Sequence, residues 1–119
     1  MQKKAQPAPQ QIWRAAAKAA EAKQAKDIKV LDLREITAFA DFFVVLSGAN
    51  ARQIQAIADE IETQLKQQLG EYPNSVEGYQ NAEWVLLDYG DYLIHIFTAK
   101  ARQYYDLERL WRDGKTVAL

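Results

Sequence analysis

The residues best suited to chemistry lie in one late segment of the chain, W-V-L-L-D-Y-G-D-Y-L-I-H-I-F, which starts at Trp84. Gly90 tolerates the positive φ that opens a type II′ turn, so Gly90 and Asp91 are predicted to be the two turn residues of a β-hairpin. In that register Asp88, His95 and Trp84 lie on one face of the strand pair. An Asp–His contact could position a proton or a partner group. The alternative interpretation is a hydrogen-bonded structural histidine.

Metal binding and nucleophilic catalysis are weakly supported by the sequence. Two-metal catalysis needs carboxylates that converge at a metal separation of about 4 Å, and the D-x-x-D spacing of Asp88 and Asp91 across a tight turn does not achieve this reliably. No third carboxylate or second histidine lies at ligand spacing nearby. Ser47 lacks a G-x-S-x-G context and an identifiable base. Residues 47–52 are therefore interpreted as a capped helix start, with anion binding as the alternative.

The remaining segments predict the elements that position these residues. A buried strand is indicated by the continuous apolar run 42–46, and an amphipathic helix by Asn50 as N-cap and Gly70 as its end. The order α-β-β-α-β-β-β-α predicts an α/β fold, a mixed β-sheet of about five strands flanked by helices. The predicted elements are helix 12–26, strands 28–33 and 42–46, a helix ending near 69, strands 75–79, 84–89 and 92–97, and a final helix capped by Thr98.

The predicted final helix has two faces and ends near Gly114. The inward face is predicted to contain Ala101, Tyr104, Leu107 and Trp111. The opposite face contains Arg102, Tyr105, Glu108, Arg109 and Arg112, with Glu108 and Arg112 as an i,i+4 ion pair. Tyrosine and arginine dominate interface hot spots, so this face is either a recognition patch or an ordinary solvated helix surface.

Charge is unevenly distributed along the chain, although the formal net charge is only −1. Residues 1–26 contain six basic residues and one acidic residue, whereas residues 27–119 contain nine basic and fifteen acidic residues. The body is therefore a poor general ligand of nucleic acid and suits a basic protein surface. The basic N-terminal arm is interpreted as a solvated Ala/Lys helix, with RNA contact as the alternative.

Composition excludes several classes of protein. The 119 residues contain no cysteine, which excludes a disulfide framework, a thiol nucleophile and a thiolate metal site. No apolar run approaches the roughly 20 residues that span a bilayer, and the start of the chain lacks the apolar region of a secretory signal. A transit peptide is disfavoured because the basic start contains no serine. We expect one domain in a reducing compartment.

Two motifs become specific in combination. W-x-x-x-D-Y-G-D-x-x-x-H runs from Trp84 to His95, and R-x-x-Y-x-L-E-x-L-W runs from Arg102 to Trp111. They are accompanied by Val30-Leu31-Asp32-Leu33, Ala40-Asp41-Phe42-Phe43-Val44-Val45, Ser47-Gly48, Arg52-Gln53, Ala58-Asp59 and Glu77-Gly78. With these motifs, residues 27–112 resemble the ribosomal silencing factor family, also called Iojap-like. The departures are local: Ala51 and Tyr92 stand where serine and a β-branched residue are usual in the family.

The resemblance implies a non-enzymatic translation regulator whose fold is nucleotidyltransferase-like without the paired catalytic carboxylates. Family members bind the large ribosomal subunit at its protein number fourteen and block joining with the small subunit when nutrients are short. The chain would then comprise a basic arm (1–26), the silencing factor domain (27–113) and a C-terminal tail (114–119). The implied protein is cytoplasmic, with no cofactor and no membrane association. The alternatives are a magnesium-dependent nucleotidyltransferase-like enzyme using Asp88 and Asp91, and a homodimeric adaptor.

The resemblance also implies which residues build or support the partner-binding surface. They are Trp84, Asp88, Asp91, His95, Arg102, Tyr105, Glu108 and Trp111. The three acidic residues would supply negative charge toward the partner, and Arg102 and Tyr105 would be contact anchors. Trp84 and Trp111 would be mostly core. A minor contact of the basic arm with ribosomal RNA and a homodimer of the free protein are further expectations.

Overall fold

A computed structural model of the chain describes residues 7–118. Its helices are α1 (Pro9–Ala22), α2 (Ala51–Leu69), α3 (Ala99–Tyr105) and the single turn α4 (Leu107–Leu110). Its strands are β1 (Lys26–Asp32), β2 (Phe42–Gly48), β3 (Ser75–Glu77), β4 (Trp84–Asp88), β5 (Tyr92–Thr98) and β6 (Lys115–Val117). The predicted α/β class and mixed sheet are confirmed. Met1 to Gln6, the first part of the predicted basic arm, lie outside the described residues.

The six strands form one sheet in the order β3-β4-β5-β2-β1-β6. β2 occupies the middle, parallel to β5 and antiparallel to β1. Every residue of β2 is buried, as its continuous apolar run predicts for a strand covered on both faces. Alternate residues of this strand therefore support two separate hydrophobic layers.

Each face of the sheet has its own apolar layer. The larger layer joins α1 and α2 to one face, with Val44, Leu46, Ile94 and Ile96 among the strand residues. The alanines of α1 present little bulk, so this helix fits beside α2, and Ala16 and Ala20 are completely buried. The smaller layer lies on the opposite face, where α3, α4 and the segment after β1 provide partial cover. This second face has the candidate site.

The β4–β5 hairpin has the predicted register. Trp84 is paired with Phe97, Leu86 with His95, and Asp88 with Leu93. The Tyr89 N–H donates to the Tyr92 carbonyl over 2.9 Å, which closes the turn. Gly90 has a φ of 89°, as the type II′ interpretation requires.

Side-chain caps fix the helix starts where the sequence predicts them. Asn50 accepts a hydrogen bond from the Gln53 N–H at 2.9 Å, and Thr98 accepts one from the Ala101 N–H at 3.1 Å. Gly70 closes α2 in the left-handed conformation with a φ of 66°. Both helices that follow the central strands, α2 after β2 and α3 after β5, therefore begin at defined residues.

The C-terminal region differs from the prediction. Asp106 adopts a φ of 49° and ends α3, so the predicted continuous helix is two short helices. Tyr104, predicted to face inward, is 73% exposed. Lys115–Val117, inside the predicted tail, forms β6 and pairs antiparallel with β1. Among residues 7–118, no helix has the length and apolarity needed to cross a bilayer.

Candidate partner-binding site

The candidate site is the sheet face opposite α1 and α2, which we call the open face. Alternation along the strands brings Trp84, Leu86 and Asp88 of β4 to the same side as Leu93, His95 and Phe97 of β5, and as Phe43, Val45 and Ser47 of β2. Trp84, Leu86, Asp88 and Leu93 are only half-buried. Part of this face therefore remains accessible beside α3 and α4.

His95 lies at the centre of the open face and is 4% exposed. The Trp84 indole Nε1–H donates to His95 Nδ1 over 3.1 Å, and the imidazole stacks on Phe97. Burial lowers the pKa of His95 to about 4, so the ring is neutral at pH 7. With Nδ1 accepting, the proton of the neutral ring is on Nε2, which is buried and has no hydrogen-bond partner within residues 7–118.

The structure distinguishes between the two interpretations of His95. Its hydrogen-bond partner is Trp84, whereas Asp88 Oδ1 accepts the Gly90 N–H at 2.8 Å within the hairpin turn. The structural histidine is therefore the correct interpretation, and the Asp–His contact is wrong. Its Nδ1 accepts the hydrogen bond that orients the Trp84 ring.

Asp91 belongs to the turn and not to the aromatic centre of the open face. Its carbonyl accepts the N–H groups of Asp41 and Phe42 at 2.8 and 3.1 Å, while its side chain is exposed. Asp88 shares the strand face but lies near the same turn. Within the described ranges, no group of three or more histidine, cysteine or carboxylate residues is placed to hold a metal ion.

Arg102 and Glu108 are joined by an ionic network that reaches into the sheet. Arg102 Nε donates to Glu108 Oε1 over 2.8 Å, and Arg102 Nη1 donates to Ser47 Oγ over 2.8 Å. Lys29 Nζ contacts Glu108 Oε2 at 3.1 Å. The hydrogen bond from Arg102 is the main reason that the pKa of the Glu108 carboxyl lies below its usual value. The predicted Glu108–Arg112 pair is replaced by these contacts.

Aromatic rings surround the exposed part of the open face. The Tyr105 ring lies 4.6 Å from the Trp84 ring, centre to centre, and Tyr105 is 52% exposed. On the other side of His95, Trp111 contacts Phe43 at 5.8 Å and Phe39 at 5.5 Å. Phe39 and Leu110 are also exposed. The surface is therefore a mixed apolar and aromatic patch, which monomeric proteins keep small unless it is functional.

Six of the eight predicted site residues come together on this patch. They are Trp84, His95, Arg102, Tyr105, Glu108 and Trp111, while Asp88 and Asp91 lie at the hairpin turn. Sequence reasoning missed Phe39, which lies in an irregular segment without periodicity, and assigned Ser47 to the helix start. The only sequence signal for Ser47 was its place in a buried strand, where a hydroxyl needs a partner.

The fold and the open face define a small α/β protein with an aromatic surface patch. The sequence profile of the family described as "RsfS: Ribosomal silencing factor during starvation" matches residues 5–119. The chain therefore belongs to the ribosomal silencing factor family, whose members are non-enzymatic translation regulators. The alternative of a metal-dependent nucleotidyltransferase-like enzyme is thereby wrong.

Bacterial relatives match along nearly the whole chain. The ribosomal silencing factor of Bacillus subtilis is 41% identical over 108 residues, which are 91% of this chain and 91% of that protein. The one from Halalkalibacterium halodurans is 39% identical over 110 residues, 92% of this chain and 93% of that protein. A crystal structure from Chromobacterium violaceum superposes with a TM-score of 0.85 at 34% identity, covering 95% of this chain and 92% of that one.

Proposed function

We propose that this protein binds the large ribosomal subunit through its protein number fourteen and sterically blocks joining with the small subunit. Translation is thereby repressed when nutrients are limiting. Family membership supports the ribosomal target. The observation that carries the proposal is the open face, where the exposed rings of Tyr105 and Phe39 and the half-buried ring of Trp84 lie around a buried histidine. Aromatic side chains on a preorganised surface are typical anchors of protein interfaces.

Charge supports a basic protein partner. Residues 27–119 contain fifteen acidic and nine basic residues. Asp88, on the open face, and Asp91, in its turn, lie beside the apolar patch, where they speed encounter with a basic surface. Glu108 contributes less to this field because Arg102 and Lys29 already neutralise it. We therefore assign the partner-facing negative charge to the hairpin end.

A subunit-binding experiment tests the proposal. Purified protein is incubated with isolated large subunits, and its comigration is measured in sucrose gradients, together with the yield of joined ribosomes after small subunits are added. We expect comigration and fewer joined ribosomes. Unhindered joining at saturating protein would overturn the proposal.

Charge-reversed variants locate the binding surface. Asp88→Lys with Asp91→Lys should weaken binding more at low salt than at high salt, since exposed charges are screened. Asp59→Lys with Glu60→Lys is the matched control, because it makes the same charge change on α2, away from both the open face and the basic arm. Equal effects of the two double variants would exclude the hairpin end as the contact.

Three further properties belong to the same proposal. The basic arm makes a minor contact with ribosomal RNA, through Arg14 and Lys18 on the exposed side of α1. Lys3 and Lys4, also part of the arm, lie outside the described residues. The protein works in the cytoplasm, and its free form is a homodimer. Light scattering of the free protein measures the oligomeric state, and Arg14→Gln with Lys18→Gln should reduce the salt dependence of subunit binding.

A further inference from the structure

The break between α3 and α4 determines which side chains reach the open face. Arg102 and Glu108 are six positions apart, as are Tyr105 and Trp111. In a continuous helix, residues six positions apart are separated by about 9 Å along the axis and roughly 120° around it, so neither pair would share a face. In this structure Asp106 interrupts the helix, Arg102 contacts Glu108, and both aromatic rings pack on the same side of the sheet.

The short helix α4 has little to hold it in place apart from these contacts. It contains four residues, none of them fully buried. A single turn is not stable by itself, because helix nucleation costs more than one hydrogen bond returns. Leu107 and Trp111 give partial apolar packing. Glu108 adds a bond to Arg102 and one to Lys29, which tie α4 to α3 and to β1.

A straight helix would offer Glu108 a different partner. In that geometry Glu108 and Arg112 become i,i+4 neighbours, a pair that stabilises an exposed helix only weakly. The broken geometry replaces it with an arrangement in which Arg102 is 12% exposed and its guanidinium is shared between Glu108 and the buried Ser47. Charge-assisted bonds of this kind are stronger than exposed pairs.

We propose that Arg102 is a positioning residue for the docking surface, acting through Glu108 and Ser47. This ionic clamp, formed by Lys29, Glu108, Arg102 and Ser47, holds the broken helix and thereby keeps Tyr105 and Trp111 on the open face. Arg102 and Glu108 then contribute to partner binding by shaping the surface and not by touching the partner. The existence of the clamp does not depend on the proposed function; only its expected effect on large-subunit binding rests on that function.

Indole signals in nuclear magnetic resonance spectra test the clamp. The chain has three tryptophans. Trp84 and Trp111 lie on the open face, while Trp13 lies in the other layer and reports whether the fold is intact. Arg102→Met should shift the Trp84 and Trp111 signals and leave that of Trp13 in place. It should also speed amide exchange at residues 107–111 and weaken large-subunit binding about tenfold.

Two variants serve as controls. Arg109→Met removes the same charge from α4 at an exposed position and should move none of the three signals. Ser47→Ala removes one arm of the clamp without touching its ion pairs, so it should produce the same signal shifts on a smaller scale. It also keeps the test informative if Arg102→Met fails to fold.

Separate outcomes overturn the two proposals. If Arg102→Met binds weakly while the Trp84 and Trp111 signals stay unchanged, Arg102 touches the partner directly and the clamp is wrong. Unchanged signals with unchanged binding would refute it as well. If the unsubstituted protein does not bind large subunits, the proposed function fails, but the indole and exchange measurements still decide whether the clamp exists.

Discussion

Replacing Gly78 by alanine should destabilise the protein far more than the same change at Gly90. Both glycines have a positive φ, 78° and 89°, which costs an L-residue about 1–2 kcal/mol. They differ in what the new methyl group meets. At Gly78 it would lie 2.1 Å from the Trp84 carbonyl oxygen, whereas at Gly90 the nearest atom is the Asn74 side-chain nitrogen at 3.3 Å.

The contact at Gly78 cannot be relieved by a side-chain rotation, because the Trp84 carbonyl belongs to the backbone of β4. Such overpacking typically adds about 1–3 kcal/mol. Urea unfolding measures the difference between the two variants. With a slope of about 1–3 kcal/mol per molar, the Gly78→Ala midpoint should lie about 1 M below that of Gly90→Ala.

Gly78→Ala should also weaken large-subunit binding, because relief of the contact moves Trp84 away from His95 and Tyr105. Gly90→Ala supplies the comparison for a purely conformational cost. Equal midpoints for the two variants would refute the reasoning, since they would mean that the close approach of Gly78 to β4 contributes nothing.

Three further predictions follow from buried or capping residues. The pKa of His95 is about 4 in the folded protein against 6.5 ordinarily, so the unfolded chain binds the proton more tightly and stability falls as the pH drops from 6.5 toward 4. The free energy of unfolding, measured by urea titration, should fall by about 2 kcal/mol between pH 7 and pH 5. The His95→Phe variant should lose less over the same pH range, and an equal loss would contradict the assignment of this pH dependence to His95. Asn50→Ala removes the α2 cap and should cost about 1 kcal/mol, against almost nothing for the exposed Gln67→Ala. Ile61→Ala empties a completely buried site and should lower stability by about 2–5 kcal/mol in the same assay, a value below 1 kcal/mol being the contrary result.

Local sequence signals predicted the strands and the caps well. The apolar run of β2 and the glycine of the β4–β5 turn act within a few residues, so their effect is visible in the sequence. Asn50, Gly70 and Thr98 likewise satisfy neighbouring backbone groups. The order of the elements from α1 to β5 and the hairpin register could therefore be read from spacing alone.

The structure of the C-terminal region depends on long-range contacts, which residue spacing does not reveal. Tyr104 to Trp111 has a helical period throughout, and aspartate tolerates the left-handed conformation without requiring it. The break at Asp106 accompanies a bond between Arg102 and Ser47, residues 55 positions apart. For the same reason the pattern placed Arg102 on the outward face and Tyr104 on the inward face.

β6 was missed because it is short and polar. Lys115–Val117 has three residues and pairs with the edge of β1, which supplies its backbone hydrogen bonds. Its composition gives no sign of a strand. The candidate site was partly predictable, since six of the eight predicted residues lie together on the open face, although their role in binding stays a prediction. Their separation into an aromatic centre and a hairpin end followed only from the register of the sheet.

The two outer strands of the sheet, β3 and β6, have three residues each. A peptide that recruits its target by extending a sheet needs a row of free backbone donors and acceptors, and so short a border offers few of them. Growth of the sheet into filaments is disfavoured for the same reason. A partner of the open face would therefore contact side chains and not the backbone of an edge strand. The sheet can present an apolar aromatic surface without exposing a long edge on which further copies could add strands.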